Sequence, residues 1–580
     1  MKRAMIGLSK LASKFLPFFN ACRNTYASSY VVRGIDFLEN NNLNKSLAFT
    51  LEERQALGIH GLLAPQVRSM EDQIKVCNIS LSRLPDNLQR FAYLTELQET
   101  NQKLFYNVLN SNIEKYLPMI YSPTVGEVCQ KIGLLYRRPR GLFVSLRDKG
   151  HIVDILKNWP NQQVKAVIFT DGERTMGTGD SGAHAMALPV SKSTLYTALG
   201  RIAPKDILPV ALDCGTDNKA LLEDPLYIGL RQKRARGKEY DDFIDEFMSA
   251  CREVFGSTCL LQFEDFTVAN GARLLDKYKL SYCTFNDDIQ GTAAVVLGGL
   301  MASSRITEKS LSENTYLFHG AGLEAVGIAN LLLDAMLEEG LSREDALKRI
   351  WMYDDDGLLS NKRVQGIPPR LAQFARNDEP DAKFTQRTVY NTEANVLIGS
   401  TGMLGSITPE MLYQMGRNSY KPIIFALTKS PNRVECTAEE AYSNTQGRCI
   451  FASGTPFPTV NYKDKEIQPA YINNAYIYPG LALGVTSVDA LQTPDYMFYT
   501  AAKTLADQLT HKELQNEKIY PPMKDLQKIS LSIAIEVANL AYCMDLAMKY
   551  PEPSNLDQYI AKSLYKFDYD NYLPKMFYCN

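Results

Sequence analysis

Two acidic pairs, Glu264-Asp265 and Asp287-Asp288, each follow a largely apolar run, "CLLQF" before the first and "LSYCTFN" before the second. Short apolar runs of this kind read as buried strands. Neighbouring side chains on a strand point to opposite faces, so both acids of a pair sit together only where strand gives way to loop. Two such strand ends side by side gather three or four carboxylates at one sheet edge. Those carboxylates cannot all ionise unpaired, and a hard divalent cation, Mg²⁺ or Mn²⁺, is their natural partner. Solvated strand-end acids are the plainer alternative. After Asp288, Gly291 breaks the pattern, and Thr292–Ile306 reads as an apolar, Ala/Gly-rich helix.

A second stretch, "NTYLFHGAGLEAVGIANLLLDAM", reads as strand, glycine turn and helix. Gly320, Gly322 and Gly327 give G-x-G-x-x-x-x-G, two residues longer before the last glycine than the standard dinucleotide fingerprint. The physical need is met: a tight turn, close backbone approach to a pyrophosphate, and a helix N-terminus aimed at it. Downstream, "IWMYDDDG" is a second strand ending in Asp354, placed to accept hydrogen bonds from adenosine ribose hydroxyls. The run Asp354-Asp355-Asp356 would repel a 2′-phosphate, which favours NAD over NADP, with Lys362 and Arg363 as opposing charges. A tight turn without a ligand is the alternative.

The elements that must position these residues alternate between strand and helix. "GLFVSL", "VKAVIFTDG", "ILPVALDCGT" and "TCLLQFED" are strands, and "YDDFIDEFMSACREVF" is a helix with Tyr240, Ile244, Phe247 and Cys251 along one side. This alternation predicts an α/β fold with parallel sheets covered on both faces and chemistry at the carboxyl ends of the strands. Arg174 follows "VIFTDG" at such an end, and Lys192 follows "MALPVS", opening a helix near another. "ANVLIGST" and "KPIIFAL" are later strands of the glycine-turn sheet, and "NNAYIYPGLALGV" is a turn and helix.

At 580 residues the chain exceeds one core, and its 45% apolar and 22% charged content is that of a globular protein. A net charge of −2 gives no reason to expect nucleic acid, and no apolar run spans a bilayer. The eleven cysteines show no paired spacing and read as reduced, mostly buried thiols. Residues 1–35 carry six basic side chains and no acid, with an amphipathic pattern that resembles a mitochondrial transit peptide. A disordered cytosolic tail is the alternative. Residues 36–139 read as helical, with a capping box from Thr50 to Glu53.

"MIYSPTVGE", "DGERTMGTGD", "QFEDF", "FNDDIQGTAAVVLGGL", "ECTAEEAY" and "NNAYIYPG" together resemble the malic enzyme family, from about Phe49 to about Pro553. That resemblance implies oxidative decarboxylation of L-malate to pyruvate and CO₂ with a nicotinamide cofactor and a divalent metal. It implies metal ligands at Glu264, Asp265 and Asp288, a lysine base at Lys192 beside Asp287, and a tyrosine acid at Tyr121. It further implies substrate contacts from Arg174 and Asn474, Thr292 near the nicotinamide, and a dinucleotide site at Gly320, Gly322 and Asp354. Lys192 is expected to be neutral through burial and cationic surroundings. A homo-oligomer, tetrameric by the same resemblance, is expected in the mitochondrial matrix, with the cytoplasm as alternative. The expected layout is a helical N-terminal domain (36–139), a substrate and metal domain (140–286 and 474–545), an inserted Rossmann-like domain (287–473) and a C-terminal tail (546–580).

The chain departs from the family in three places. Lys429 stands where the family has a substrate-binding asparagine, with Asn432 as a possible replacement after a slip. Leu323-Glu324 follows the second glycine where the family often carries the acid directly, and "GSTGMLGSIT" differs from the usual glycine-rich loop. These departures motivate the alternative of a weakly active or non-catalytic paralogue serving as a partner subunit. Val76 and Thr100 align with the arginines that serve fumarate activation, so no activation by that route is expected.

Overall fold

Runs of β-branched and aromatic residues build the strands, and their burial on both faces is that of sheets sandwiched between helices. The computed structural model describes residues 34–573 apart from 137, 139, 178, 365 and 379–382. The transit-peptide reading therefore lies almost wholly outside the described residues. The chain divides into two units, Met1–Ser82 with Thr95–Asn107 and Phe567–Asn580, and Arg83–Leu94 with Val108–Lys566. Residues 108–139, grouped above with the N-terminal helices, fall in the second unit.

In the first unit the helix Leu51–Ala56 opens with the expected capping box of Thr50 and Glu53. Arg54 is buried and donates to the carbonyls of Phe49 (3.0 Å), Ala64 (2.7 Å) and Gln66 (3.1 Å), so one guanidinium gathers three chain segments. Phe37, Phe49 and Ile59 form its apolar centre with Tyr572 packed against them.

The second unit holds both expected sheets. Strands β1 (Leu142–Ser145), β2 (Ala166–Thr170), β3 (Ile207–Asp213), β4 (Leu260–Phe263) and β5 (Thr284–Asn286) form a parallel sheet in the order β1-β3-β2-β4-β5. From β2 the chain goes first to one side and then to the other, so the loops after β2 and β4 meet at a switch point, where ligands bind in open α/β sheets.

The other sheet uses β6 (Tyr316–His319), β7 (Ile350–Asp354), β8 (Gly357–Leu358), β9 (Val396–Gly399), β10 (Ile423–Ala426), β11 (Ile450–Ser453) and, beyond the hairpin β12 (Val460–Tyr462) and β13 (Lys465–Ile467), β14 (Ala470–Tyr471). Its order is β14-β11-β10-β9-β6-β7-β8, with only β8 antiparallel to its neighbour. Its switch point lies between β6 and β9.

Helices α1 (Ile113–Ile120), α2 (Ala187–Ala198), α3 (Lys238–Phe255), α4 (Thr292–Thr307) and α5 (Leu323–Glu338) carry or support the site. Tyr240, Ile244, Phe247 and Cys251 of α3 are buried against Val167, Phe169, Leu261 and Phe263 in one core. Lys192 lies inside α2 rather than opening it: Pro189 falls in the first turn, where its missing N–H costs no hydrogen bond. The nine described cysteines are free, and all but Cys543 are buried. Among the described residues no helix is long and apolar enough to cross a membrane.

Candidate active site

β4 and β5 are direct neighbours, with Phe263 opposite Asn286, so the two acidic pairs leave the sheet side by side as expected. Asp265 takes a left-handed conformation (φ 54°), and residues Asp287–Gly291 form one wide π-type turn. These irregular turns let both acids of each pair be buried in one region despite the strand alternation.

Two layers result. Arg174, Asp265, Asp288, Thr292, Gly320, Gly322 and Asp354 line a cavity of about 740 Å³, together with Glu324, Arg370 and Lys429. Tyr121, Lys192, Glu264, Asp287 and Asn474 form a buried layer. Lys192 Nζ donates to Asp287 Oδ2 (2.5 Å) and to both Glu264 oxygens (2.6 and 2.5 Å). It also lies 4.8 Å from the centre of the Tyr478 ring. Tyr121 Oη donates to Glu264 Oε1 at 3.4 Å. Asn474 Nδ2 donates to Asp287 Oδ2 (2.9 Å) and Thr292 Oγ1 (3.0 Å), so it pins the acid beside the lysine.

The electrostatics correct one expectation. Burial pulls the Lys192 pKa down, but Asp287 and Glu264 together outweigh it and hold the ammonium well above its ordinary value. The surroundings of Lys192 are anionic rather than cationic. Burial likewise lifts Tyr121 well above the usual phenol range, so its proton stays on.

The acids fit a hard cation in chemistry. Burial, despite the pull of Lys192, pushes Glu264 up to about 8, and burial with repulsion from Asp288 pushes Asp265 up to about 7. A divalent cation would relieve both and return them to carboxylates. Among the described residues no three acidic, histidine or cysteine side chains stand in metal-holding geometry. Glu264 is turned onto Lys192, Asp265 Oδ2 accepts from Met176 N (2.5 Å), and Asp288 Oδ2 accepts from Asp265 N (2.9 Å).

The glycine turn is formed as expected. Gly320 has φ 107°, and a Cβ there would meet Ser400 O at 2.6 Å. Gly327 serves helix packing, since a Cβ would meet Ile289 O at 2.6 Å. Asp354 differs from expectation: its two oxygens accept a two-pronged pair from Arg363 (Nη1 3.0 Å, Nη2 closer), which occupies the oxygens proposed for the ribose. Lys429 Nζ lies 3.8 Å from Asp288 Oδ1, while Asn432 is exposed and does not line the cavity.

Sequence reasoning missed the residues that hold the loops. Arg234 donates to Asp180 (Nε 3.1 Å, Nη2 2.7 Å) and to the Asp171 carbonyl (2.9 Å), closing the Arg174 loop at its two ends. Glu435 accepts from Thr401 N (2.9 Å) and Thr428 Oγ1 (2.5 Å), joining the loops after β9 and β10. Glu435 falls in the quoted block "ECTAEEAY", which was the available signal.

The family profile "Malic enzyme, N-terminal domain" matches residues 98–279, and "Malic enzyme, NAD binding domain" matches residues 289–542. The NADP-dependent malic enzyme of Anas platyrhynchos is 47% identical over 93% of this chain and 97% of its own length. The human NADP-dependent malic enzyme is 46% identical over 93% and 95%. The mitochondrial NADP-dependent enzyme of Mus musculus is 44% identical over 93% and 89%. The solved malic enzyme of Entamoeba histolytica shares the fold with a TM-score of 0.55 at 20% identity, covering 88% of this chain and 91% of its own.

These relatives overturn the expected preference for NAD, since they are named NADP-dependent. Against the expected repulsion, Arg363 pairs with Asp354, and Arg370 adds a cation to the same cavity. With two domain profiles matched in order and near-half identity along nine-tenths of its length, the chain belongs to the malic enzyme family.

Proposed function

We propose that the chain oxidatively decarboxylates L-malate to pyruvate and CO₂ and reduces NADP, with a divalent cation required. The observation that carries this reading is the buried Lys192–Asp287–Glu264 cluster with Tyr121 beside it, next to a cavity shared by the acidic turns and the glycine turn. In this reading Arg174 binds a substrate carboxylate, and Asn474 fixes Asp287 so that Lys192 is held in place. Lys192, as free amine, takes the proton of the C2 hydroxyl, and a dinucleotide held by the glycine turn of Gly320 and Gly322 would supply the acceptor for the C2 hydride. Carbon dioxide then leaves, and Tyr121 delivers a proton to C3, for which its raised pKa keeps it charged with hydrogen until needed. A divalent cation held by Glu264, Asp265 and Asp288 would polarise the substrate oxygens and draw off the negative charge that otherwise keeps Lys192 protonated. The test is purified protein with malate, Mn²⁺ and either dinucleotide: release of reduced dinucleotide and pyruvate supports the reading, and no turnover in any combination overturns it. A mitochondrial location is supported by the basic, acid-free N-terminus and by the mitochondrial relatives; import into isolated mitochondria tests it.

Arg370 is expected to serve the 2′-phosphate. Hydrogen bonds to charged groups contribute about 1.5–3 kcal/mol, so Arg370→Ala should lower kcat/KM for NADP by about ten- to a hundredfold and leave that for NAD nearly unchanged. Equal losses with both cofactors would count against this role.

Lys429 competes with a cation for Asp288. Two unit charges 4 Å apart exchange about 4 kcal/mol at an effective dielectric of about 20. The Lys429 side chain is 33% exposed, so solvent screens most of that energy, and Lys429→Asn is expected to tighten Mn²⁺ binding by about tenfold, read directly by calorimetry or electron paramagnetic resonance, and to improve malate turnover. Unchanged Mn²⁺ affinity would show that the ammonium does not oppose the ion.

A further inference from the structure

Glu324 is the second residue of α5, at the mouth of the glycine turn. Its Oε1 stands 2.5 Å from Nη2 of Arg174, which reaches across from the loop after β2. Glu324 is the strongest of the charges acting on Arg174, ahead of Asp288 and Asp265. The other terminal nitrogen of Arg174, Nη1, is buried with no hydrogen-bond partner among the described residues. The second oxygen of Glu324 lies 3.4 Å from where a Cβ on Gly322 would sit, and among the described residues no other atom beyond the adjoining residues lies within 4 Å of that point. A carboxylate thus rests at the positive end of α5, where a pyrophosphate would approach the glycine backbone.

We propose that Glu324 is a positioning residue that couples the two ligands of the site: with the glycine turn free it holds Arg174 on the dinucleotide side, and a seated pyrophosphate displaces it and releases the guanidinium to the substrate carboxylate. This rests on the roles given above to Arg174 and the glycine turn. Two anions cannot share the end of α5, so dinucleotide binding breaks the ion pair. The half-satisfied guanidinium, with Nη1 already unpaired, then gains a two-oxygen partner in malate. Linkage makes the effect mutual: malate tightens the dinucleotide by the factor by which the dinucleotide tightens malate.

Calorimetric titration of L-malate with and without saturating NADPH tests this, since the reduced dinucleotide accepts no hydride and no turnover occurs. In the unaltered protein NADPH is expected to tighten malate about tenfold. In Glu324→Ala, malate alone should bind about tenfold tighter than in the parent, and the NADPH effect should shrink to less than about twofold. Glu324→Gln, which keeps a hydrogen bond to Arg174 but not the charge, should fall between. In steady state Glu324→Ala should lower the KM for malate at low dinucleotide without raising kcat, a split that a merely structural loss would not give. If both ligands bind and the variants keep the parental coupling, the proposal is overturned. If neither ligand binds the unaltered protein, the functional reading fails first and the coupling with it.

Discussion

Lys192→Met is expected to cut malate turnover by about a hundred- to ten-thousandfold, the range for loss of a positioned acid–base group, and to destabilise the protein as well. The side chain is wholly buried, and its Nζ is the shared donor for Asp287 Oδ2 and both Glu264 oxygens. Methionine fills similar volume, so packing around Tyr478 and Tyr121 is kept, and the loss is one of charge. Removing one partner of a buried ionic group leaves the others uncompensated, which costs about 3–5 kcal/mol. Denaturant midpoints and malate turnover on the same preparation separate the two effects. A variant that retains turnover within tenfold of the parent would remove Lys192 from the proton-transfer step, whatever its stability.

The buried acidic layer was legible from sequence where its residues lie close along the chain. Acidic pairs after apolar runs, glycines after a strand and Thr50 three residues before Glu53 are local patterns, and the structure places β4, β5, the glycine turn and the capping box there. What was not legible depends on side chains that meet across loops. Asp354 sat where a ribose acid belongs, but its partner Arg363 comes from the turn after β8 and takes both oxygens. Glu324 reads from sequence only as a departure from the family in the glycine turn; its partner is 150 residues earlier, in the β2 loop. Lys192 reads from sequence as neutral in cationic surroundings, because the acids that face it come from the turns after β4 and β5 rather than from its own helix. Periodicity reports which face is buried. It carries no information on which charges the fold brings together.

The second large effect is expected at Arg234, which lies in the loop after β3 and touches no residue of the proposed chemistry. Its side chain is fully buried and grips Asp180 with two nitrogens and the Asp171 carbonyl with a third. Asp171 also accepts from Tyr240 Oη (2.6 Å), and Asp180 accepts from the backbone of Gly182 (2.9 Å) and Asp217 (2.9 Å). The guanidinium therefore sets the span of the loop that carries Arg174. Arg234→Met leaves buried Asp171 and largely buried Asp180 without their cation, a change worth about 3–5 kcal/mol. A displacement of Arg174 by about 1 Å can cost about a hundredfold in rate, so kcat/KM for malate should fall. Arg236 is the control two residues away: it pairs with Glu173 and with Asp217 (2.6 Å), but its side chain is 53% exposed. Exposed pairs contribute about 0–1 kcal/mol, so Arg236→Met should leave the melting temperature almost unchanged. Equal destabilisation by both variants would mean that burial of Arg234 is not what holds the loop, and that its grip on Asp171 and Asp180 is incidental to the placement of Arg174.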